Sequence, residues 1–326
     1  MFKLEQKWHL VGKELNLVEK RLQHLVNSSG PDLKNVGNYI FNSEGKRIRP
    51  TLFLMAAYRP NKESESLVDA AVALELLHTA SLLHDDVIDQ ALIRRGKDAV
   101  HARWGNMISV LTGDFLLSQA FELLVAYRNW QLMDVVVDIV NNMAKGEVEQ
   151  AFASPETEQL EEKYFLWIGK KSAAFFAGCC QAGCLMAGGN LAEQQLWFDY
   201  GYNLGITFQL IDDYLDYKGT DQITGKPLYG DLINGVLTLP LIRAMDSATG
   251  NGVLKNYLQS DPAERRVGAE EMAKLVLNSD GPDYTLQKAK NHAQLSAALI
   301  EKLNLANAEQ KSIAVGLSSD LLMRSK

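Results

Sequence analysis

The amino-acid sequence predicts an all-α protein in which residues 1–326 form one large helical domain. Apolar residues recur at helical spacing through most of the chain, and no segment shows the apolar–polar alternation that is typical of a strand. Glycine–proline pairs are few and lie between the periodic segments, as at Gly30-Pro31 and Gly281-Pro282. The length of 326 residues would allow two domains, but no linker or low-complexity tract divides the chain.

Helical periodicity is clearest in five long segments. They are residues 67–88, 111–127, 135–152, 160–186 and 191–217. Residues 172–189 carry no charge and are dominated by Ala, Gly and Cys, so we interpret them as a buried core helix rather than a membrane span. The three cysteines, Cys179, Cys180 and Cys184, lie in this stretch, and we expect buried thiols rather than a metal site.

The composition is that of an ordinary globular protein, with 47% apolar and 22% charged residues. The net charge of -7 provides no general field to attract nucleic acid, so an anionic ligand would need a local cluster of cations or metal ions. The first residues mix charged and apolar side chains, unlike a signal peptide. We therefore expect a cytoplasmic protein with no transmembrane segment and no nucleic-acid partner.

Two acidic runs with the same spacing end two of the predicted helices; they are Asp85-Asp86-Val87-Ile88-Asp89 and Asp212-Asp213-Tyr214-Leu215-Asp216. In each run the first and last carboxylates lie about 40° apart around the helix, so they share a face and repel each other. The helix macrodipole also disfavours anions at this end. A bound cation would remove both penalties, and oxygen ligands without a nearby thiolate suit Mg²⁺. One such run is often only a solvated helix end, whereas two matched runs favour a metal site.

Cationic side chains surround these runs in the sequence. They are Lys46, Arg47 and Arg49; Arg94 and Arg95; Lys170 and Lys171; and Lys226. Arginine binds phosphate oxygens through planar paired contacts, and lysine contributes a mobile point charge. Each cluster alone is typical of a solvated surface, but together with two metal-binding runs they indicate a diphosphate site. Lys226 lies in a loop, residues 218–235, that follows the second run and is predicted to close over the site.

Taken together, these residues resemble the trans-isoprenyl diphosphate synthases, the polyprenyl synthetase family. The resemblance covers residues 45–241 in the family's motif order. The matching motifs are GKRIRP from Gly45, ELLH from Glu75, the two acidic runs, Arg94-Arg95, Gly113-Asp114, GEVEQ from Gly146, Lys171-Ser172, Phe208-Gln209, TGKP from Thr224, Asp231-Leu232 and TLP from Thr238. A single acidic run would be weak support, whereas this ordered set is specific. The resemblance implies a helical bundle with a central cavity, of the isoprenoid synthase type.

The resemblance also implies a role for each matched residue. Asp85, Asp89 and Asp212 would bind Mg²⁺ directly, with about three ions per site, and Asp86, Asp213 and Asp216 would support them. Isopentenyl diphosphate would be bound by Lys46, Arg49, His78 and Arg95. The allylic diphosphate would be bound by Arg94, Lys171, Ser172, Gln209 and Lys226. The residues implied to be catalytic are Asp85, Asp89, Asp212, Lys171 and Gln209.

The implied reaction is a Mg²⁺-dependent prenyl transfer that joins isopentenyl diphosphate to an allylic diphosphate and yields a longer all-trans polyprenyl diphosphate. Ala80 and Ser81 lie on the helix face that leads back from Asp85. Short-chain members tend to carry an aromatic residue where this chain has Ala80, which implies an open tunnel and a long product. Val236 stands where short-chain members often carry lysine. These features resemble the long-chain bacterial branch, such as catalytic subunits of heptaprenyl or octaprenyl diphosphate synthases. A short-chain farnesyl or geranylgeranyl diphosphate synthase is the alternative.

Other interpretations explain fewer residues. A non-catalytic subunit of a heteromeric synthase would be expected to lose motif residues, and here both acidic runs are intact. His84-Asp85 suggests a metal phosphohydrolase of the HD type, but the remaining histidines offer no further ligand pattern. A class I terpene cyclase agrees with the acidic runs but not with the isopentenyl-diphosphate cations. We expect a homodimer, or a heteromer with a small regulatory subunit, and contact with the membrane surface during product release.

Overall fold

The computed structural model describes residues 9–42, 45–60, 65–219, 228–247, 250–303, 305 and 307–323. Most of these residues are helical, and short 3₁₀ turns cover His9–Val11 and Glu65–Leu67. The α-helices are, in chain order, α1 (Gly12–Ser28), α2 (Pro31–Phe41), α3 (Ile48–Ala57), α4 (Val68–Ile88), α5 (Val100–Trp104), α6 (Asn106–Val125), α7 (Trp130–Ala151), α8 (Leu160–Ile168), α9 (Ala174–Met186), α10 (Leu191–Lys218), α11 (Gly230–Ile233), α12 (Leu239–Met245), α13 (Asn251–Gln259), α14 (Pro262–Leu277), α15 (Gly281–Ile300) and α16 (Ala308–Met323). The predicted all-α fold is confirmed.

The core consists of two apolar clusters that share the long helix α10. One cluster takes Trp197 and Tyr200 from the first half of α10 and packs them with the N-terminal helices and α9. The other takes Leu210 and Leu215 from its second half and packs them with α8 and the C-terminal helices. Because α10 is buried along its length, its C-terminal turns are held rigidly where the second acidic run lies.

Glycine allows α9 and α10 to approach closely. A side chain at Gly205 would begin 2.6 Å from the Cα atom of Ala173, and one at Gly201 would begin 2.6 Å from the carbonyl oxygen of Phe176. Both distances are far shorter than non-bonded carbon contacts permit. This close packing brings the start of α9 against the middle of α10, and it places Ser172 beside Gln209.

Two predicted helices, residues 67–88 and 191–217, match α4 and α10 to within one residue. Residues 160–186 are helical from end to end, as predicted, but a π-helical turn, Gly169–Ala173, separates α8 from α9. A wide turn of this kind changes the phase of the helix and is frequent at functional sites. In this protein the π-helical turn packs closely against α7, since a side chain at Gly146 would begin 2.6 Å from the backbone nitrogen of Lys171.

A small hairpin breaks the otherwise helical pattern after the first acidic run. Strands β1 (Ile93–Arg94) and β2 (Lys97–Asp98) pair antiparallel, with Arg94 opposite Lys97. Arg95 and Gly96 form the turn with φ of 53° and 72°, as in a type I′ hairpin. The sequence predicted no strand, and strands of two residues are too short to show an alternating pattern.

The prediction of a buried helix within residues 172–189 is confirmed, since α9 is buried along most of its length and its three cysteines are free and buried. Burial raises the pKa of the Cys179 thiol well above its usual value. Among the described residues, one helix, α6, is long and apolar enough to cross a membrane by length and composition alone, a test that core helices also pass.

Candidate active site

The first acidic run ends α4, with Asp89 as the residue that caps the helix. Desolvation raises the pKa of Asp85 to about 7; the nearby Lys171 opposes the shift, and the Glu147 and Asp89 carboxylates add to it. The pKa of Asp89 is raised as well, chiefly by desolvation. Two carboxylates that ionise reluctantly on one helix face form a site that favours a cation.

Asp86 points away from this pair and is 2% exposed. It accepts a hydrogen bond from Arg94 Nε at 2.7 Å and a second from Arg94 Nη2, so the two side chains form an ion pair in which Asp86 is buried and Arg94 is partly exposed. The predictions gave Asp86 to the metal and Arg94 to the allylic diphosphate. The structure joins them to each other, which fixes the hairpin strand carrying Arg94 against the end of α4.

The second acidic run contains a buried hydrogen-bond network. Asp213 is 2% exposed and accepts bonds from Tyr164 Oη at 2.5 Å and from Gln209 Nε2 at 2.8 Å. The Oε1 atom of Gln209 accepts a bond from Ser172 Oγ at 2.7 Å. Desolvation, followed by the charge of Asp231, raises the pKa of Asp213 to about 7. Gln209 is therefore held in one orientation from both sides.

Asp216, the last aspartate of the second run, stabilises the chain where it returns from the loop. Its carboxylate accepts hydrogen bonds from the backbone N–H groups of Gly230 at 3.1 Å and Asp231 at 3.2 Å. These are the first amides of α11, so Asp216 acts as a cap supplied from another helix. It holds Asp231 close to the second run, where the Asp231 charge also raises the pKa of Asp89.

The π-helical turn lies between the two acidic runs. Lys171 Nζ is 2.6 Å from Glu147 Oε2 and 3.1 Å from Gln150 Oε1. Burial lowers the pKa of Lys171, but the charges of Glu147, Asp85 and Asp89 outweigh it, so the net shift is upward. Lys171 thus faces the first run, while its neighbour Ser172 bonds to the network of the second.

A separate cationic pocket brings together Arg49, His78 and Arg95. The Arg49 guanidinium stacks on the rings of Phe175 at 4.8 Å and Phe176 at 5.1 Å. Its Nε atom is buried and has no hydrogen-bond partner among the described residues. Burial lowers the pKa of Arg49 to about 10. Burial and four nearby arginines, Arg49 first among them, hold the pKa of His78 well below its usual value.

Arg47 belongs to the same GKRIRP motif as Arg49 but makes different contacts. It adopts a left-handed backbone conformation with φ of 44° and is 9% exposed. Its guanidinium bonds to Glu75 Oε1 at 3.0 Å and to both carboxylate oxygens of Glu19. Arg47 therefore ties α1, α3 and α4 together, while Lys46 lies on the exposed side of the motif.

Several residues near the site were missed as functional candidates. They are Glu147, Gln150, Tyr164, Asp231 and Glu75. Glu147, Gln150 and Asp231 lie in motifs that were recognised, but their distance in sequence from the acidic runs hid their contacts. Tyr164 gave no signal, because an aromatic residue on an apolar helix predicts only core packing.

Three other features were predicted from the sequence, and their positions are as follows. Ala80 is 2% exposed inside the core, whereas Ser81 is half-buried. Lys226 and the middle of the predicted lid, residues 220–227, lie outside the described residues. His84 packs over Gly113 of α6, with Nε2 at 3.4 Å from Asp114 Oδ1.

The donor set suits Mg²⁺, although among the described residues no three His, Cys, Asp or Glu side chains converge enough to hold an ion alone. Mg²⁺ is commonly held by one or two carboxylates together with substrate phosphates. Asp85, Asp89 and Asp212 offer only hard oxygen donors, and the raised pKa of Asp85 shows that its charge lacks full compensation. A metal ion held by these carboxylates would therefore share its coordination with a substrate phosphate.

The raised pKa values predict that the metal-free protein is more stable at pH 5.5 than at pH 8. Asp85 and Asp213 have pKa values of about 7 in the folded chain and ordinary low values when unfolded. The folded state therefore binds more protons in this range, and stability falls as pH rises towards 7. The neutral His78 acts in the opposite direction below its usual pKa.

The measurement is the melting temperature of the protein in the presence of a metal chelator, from pH 5.5 to pH 8. At each pH the melting temperature of the wild type is compared with that of a double variant, Asp85→Asn with Asp213→Asn. The wild type should lose stability relative to the variant as pH rises, and Mg²⁺ with diphosphate should restore it. A constant difference would show that these carboxylates ionise normally.

The site combines two carboxylate-rich helix ends with a separate group of cationic side chains inside an all-helical fold. The polyprenyl synthetase family model matches residues 31–275. The octaprenyl diphosphate synthase of Haemophilus influenzae is 34% identical over 310 residues, covering 95% of this chain and 94% of that protein. The heptaprenyl diphosphate synthase component 2 of Geobacillus stearothermophilus is 36% identical over 245 residues, with coverages of 74% and 76%.

Solved structures agree with these matches. A polyprenyl synthase from Caulobacter crescentus, crystallised with calcium and isoprenyl diphosphate, superposes with a TM-score of 0.91 at 30% identity, covering 99% of this chain and 98% of that one. The heptaprenyl diphosphate synthase of Staphylococcus aureus gives 0.89 at 28% identity, with coverages of 97% and 99%. The chain belongs to the polyprenyl synthetase family and is a trans-prenyltransferase. The phosphohydrolase alternative is therefore excluded.

Proposed function

We propose that this protein is a Mg²⁺-dependent synthase that condenses isopentenyl diphosphate with an allylic diphosphate and extends the product to a long all-trans chain. The observation that carries the proposal is the presence of two distinct groups of charged and polar side chains. One lies between the acidic runs, at Lys171 and Ser172; the other is the pocket of Arg49, His78 and Arg95. The named relatives make octaprenyl, heptaprenyl and solanesyl diphosphates, which supports a long product.

Bound Mg²⁺ would neutralise charge on the leaving allylic diphosphate and promote its ionisation. Lys171, held by Glu147 and Gln150, would place a positive charge on the same diphosphate. Gln209, fixed between Ser172 and Asp213, would present its side chain to the allylic carbon framework in a single orientation. Arg49 and Arg95 would anchor isopentenyl diphosphate so that its alkene lies next to the forming cation.

The proton lost at the end of each cycle requires a base. His78 remains neutral because burial and the surrounding arginines lower its pKa, but its ring lies edge-on to Phe175 in the pocket for the unreacted diphosphate. We assign the proton to the released diphosphate, and His78 to the binding of isopentenyl diphosphate.

The deciding experiment incubates the purified chain with Mg²⁺, isopentenyl diphosphate and farnesyl diphosphate, and sizes the products by chromatography. Products longer than geranylgeranyl diphosphate support the proposal. Accumulation of geranylgeranyl diphosphate would identify the short-chain alternative. Activity that arises only after a second protein is added would identify a subunit of a heteromeric enzyme. Two relatives, from Bacillus subtilis and Geobacillus stearothermophilus, are named component 2 of a heptaprenyl diphosphate synthase.

We expect Ala80→Phe to shorten the product. Ala80 is buried on α4 about one and a half turns before Asp85, so a phenyl ring there must occupy space along the path of the growing chain or displace its neighbours. The measurement is the product profile, with Ala73→Phe as a control, because Ala73 is equally buried on α4 but lies farther from the acidic run. An unchanged profile in an active Ala80→Phe enzyme would contradict the tunnel.

The homodimer is also a proposal, and it is supported by an apolar surface on α6 and α7. Large apolar side chains are exposed along both helices; they are Met107, Val110, Leu111, Val125, Trp130, Val137 and Val148. Exposed apolar patches of this extent mark protein interfaces. Sedimentation of the purified chain should give twice its mass of 36.2 kDa, and a monomer that requires a second protein would favour the heteromer.

A further inference from the structure

The hairpin that carries Arg94 and Arg95 has few internal contacts to hold it. Each strand has two residues, and Ile93, Lys97 and Asp98 are exposed. An isolated two-stranded hairpin is at best marginally stable in water. Its position relative to the diphosphate pocket must therefore be fixed by contacts with other parts of the chain.

The first strand and the base of the hairpin are fixed from α4 and α5. Arg94 is bound to Asp86, as described above. The Ala99 N–H group donates to the carbonyl oxygen of Leu92 at 2.8 Å, and His101 Nε2 lies 2.9 Å from the carbonyl oxygen of Ala91. These contacts leave the second strand, which leads back from the turn at Arg95, to be held from elsewhere.

Tyr39 of α2 provides the contact with the second strand. Its hydroxyl donates a hydrogen bond to the carbonyl oxygen of Asp98 at 2.8 Å. Its ring lies 5.8 Å from Lys97 Nζ and 4.7 Å from the Arg103 guanidinium, and it meets Trp104 edge to face at 5.0 Å. The π faces attract cations that would otherwise repel one another and push the strand away.

The position of Arg95 leaves little tolerance. Its Nη1 atom lies 3.1 Å from the point where a side chain at Gly45 would begin, so it packs against the backbone of the GKRIRP motif. A shift of the turn would therefore change the spacing between Arg95 and the other cations of the pocket. Arg94 would be less affected because Asp86 holds it directly.

We propose that Tyr39 is a positioning residue that fixes Arg95 for the binding of isopentenyl diphosphate, an inference that rests on the proposed function. Tyr39→Phe removes only the hydrogen bond to Asp98 and should raise the KM for isopentenyl diphosphate about fivefold. Tyr39→Leu also removes the cation–π contacts and should raise it about twentyfold. In both variants kcat and the KM for the allylic substrate should stay within about twofold of the wild type.

Tyr127→Phe is the matched control. Its hydroxyl also donates to a backbone carbonyl, that of Ser66 at 2.6 Å, but it lies away from the hairpin. The control should lose thermal stability without any change in the KM for isopentenyl diphosphate. An unchanged KM in Tyr39→Leu, or equal increases for both substrates, would overturn the inference.

A second measurement does not depend on activity. Hydrogen exchange at the backbone amides of residues 93–99 should become faster in Tyr39→Phe than in wild type, and should not change in Tyr127→Phe. If wild type were inactive with isopentenyl diphosphate, the proposed function would fail. Unchanged exchange in the hairpin of Tyr39→Phe would instead refute the positioning role, whatever the activity.

Discussion

Asp85→Asn is expected to lower kcat about a thousandfold, which corresponds to about 4 kcal/mol of lost transition-state stabilisation. The substitution keeps the size and shape of the side chain but removes the charge that a metal would bind. At pH 8 it should also raise the melting temperature of the metal-free protein, because desolvation disfavours the Asp85 carboxylate, whose pKa is about 7. Loss of activity with a gain in stability is not the pattern of a general folding defect.

The measurements are single-turnover kinetics and thermal melts on the same preparations. Asp114→Asn is a suitable control, because Asp114 is an exposed carboxylate that contacts His84 next to Asp85 but belongs to α6. The control should retain nearly full activity. Near-normal turnover in Asp85→Asn would remove the metal role from the first acidic run, and with it the proposed function.

Arg47→Ala is expected to lower the free energy of unfolding by about 3–5 kcal/mol. Arg47 is the partner of Glu75, whose side chain is 2% exposed, and its loss would leave that carboxylate buried without compensation. The left-handed backbone at Arg47 gives no reason to expect a gain on substitution, since alanine tolerates φ of 44° no better. The adjoining Lys46 and Arg49 would also lose their fixed backbone.

Chemical denaturation measures this effect, and Arg21→Ala is the matched control. Arg21 pairs with Asp69 at 2.7 Å and, like Arg47, connects α1 to α4, but both side chains of this pair are more than a third exposed. Such a pair contributes only about 0–1 kcal/mol. Adding Glu75→Gln to Arg47→Ala should recover part of the lost stability. Equal effects of Arg47→Ala and Arg21→Ala would show that the buried pair has no special role.

The predictions for Asp85 and Arg47 concern charges with opposite effects on the stability of the ligand-free protein. The Arg47 and Glu75 pair compensates its own burial, so it stabilises the empty protein. The carboxylates of Asp85 and Asp213 have raised pKa values and are partly uncompensated without a ligand. Carboxylates kept in this state are suited to binding a metal ion, because the cation supplies the compensation that the fold omits.

The sequence by itself determined the helical fold and the main elements that carry the site. Periodicity located α4 and α10 to within one residue, because a buried helix repeats its apolar contacts at every turn. The acidic runs were recognised for a similar local reason: carboxylates that repel on one helix face conflict with helix stability, and the conflict is readable from adjacent residues. The motif order then indicated the family, which the comparisons show.

Tertiary structure alone decided which of the charged side chains pair with each other. Nothing in the local sequence distinguishes Arg47 from Arg49, yet one pairs with Glu19 and Glu75 and the other keeps a buried, unpartnered Nε atom among the described residues. The π-helical turn between α8 and α9 likewise lies against another helix, α7, which packs closely because it has glycine at position 146. Periodicity records contacts within one helix, whereas these pairings depend on distances between helices that lie far apart in the chain.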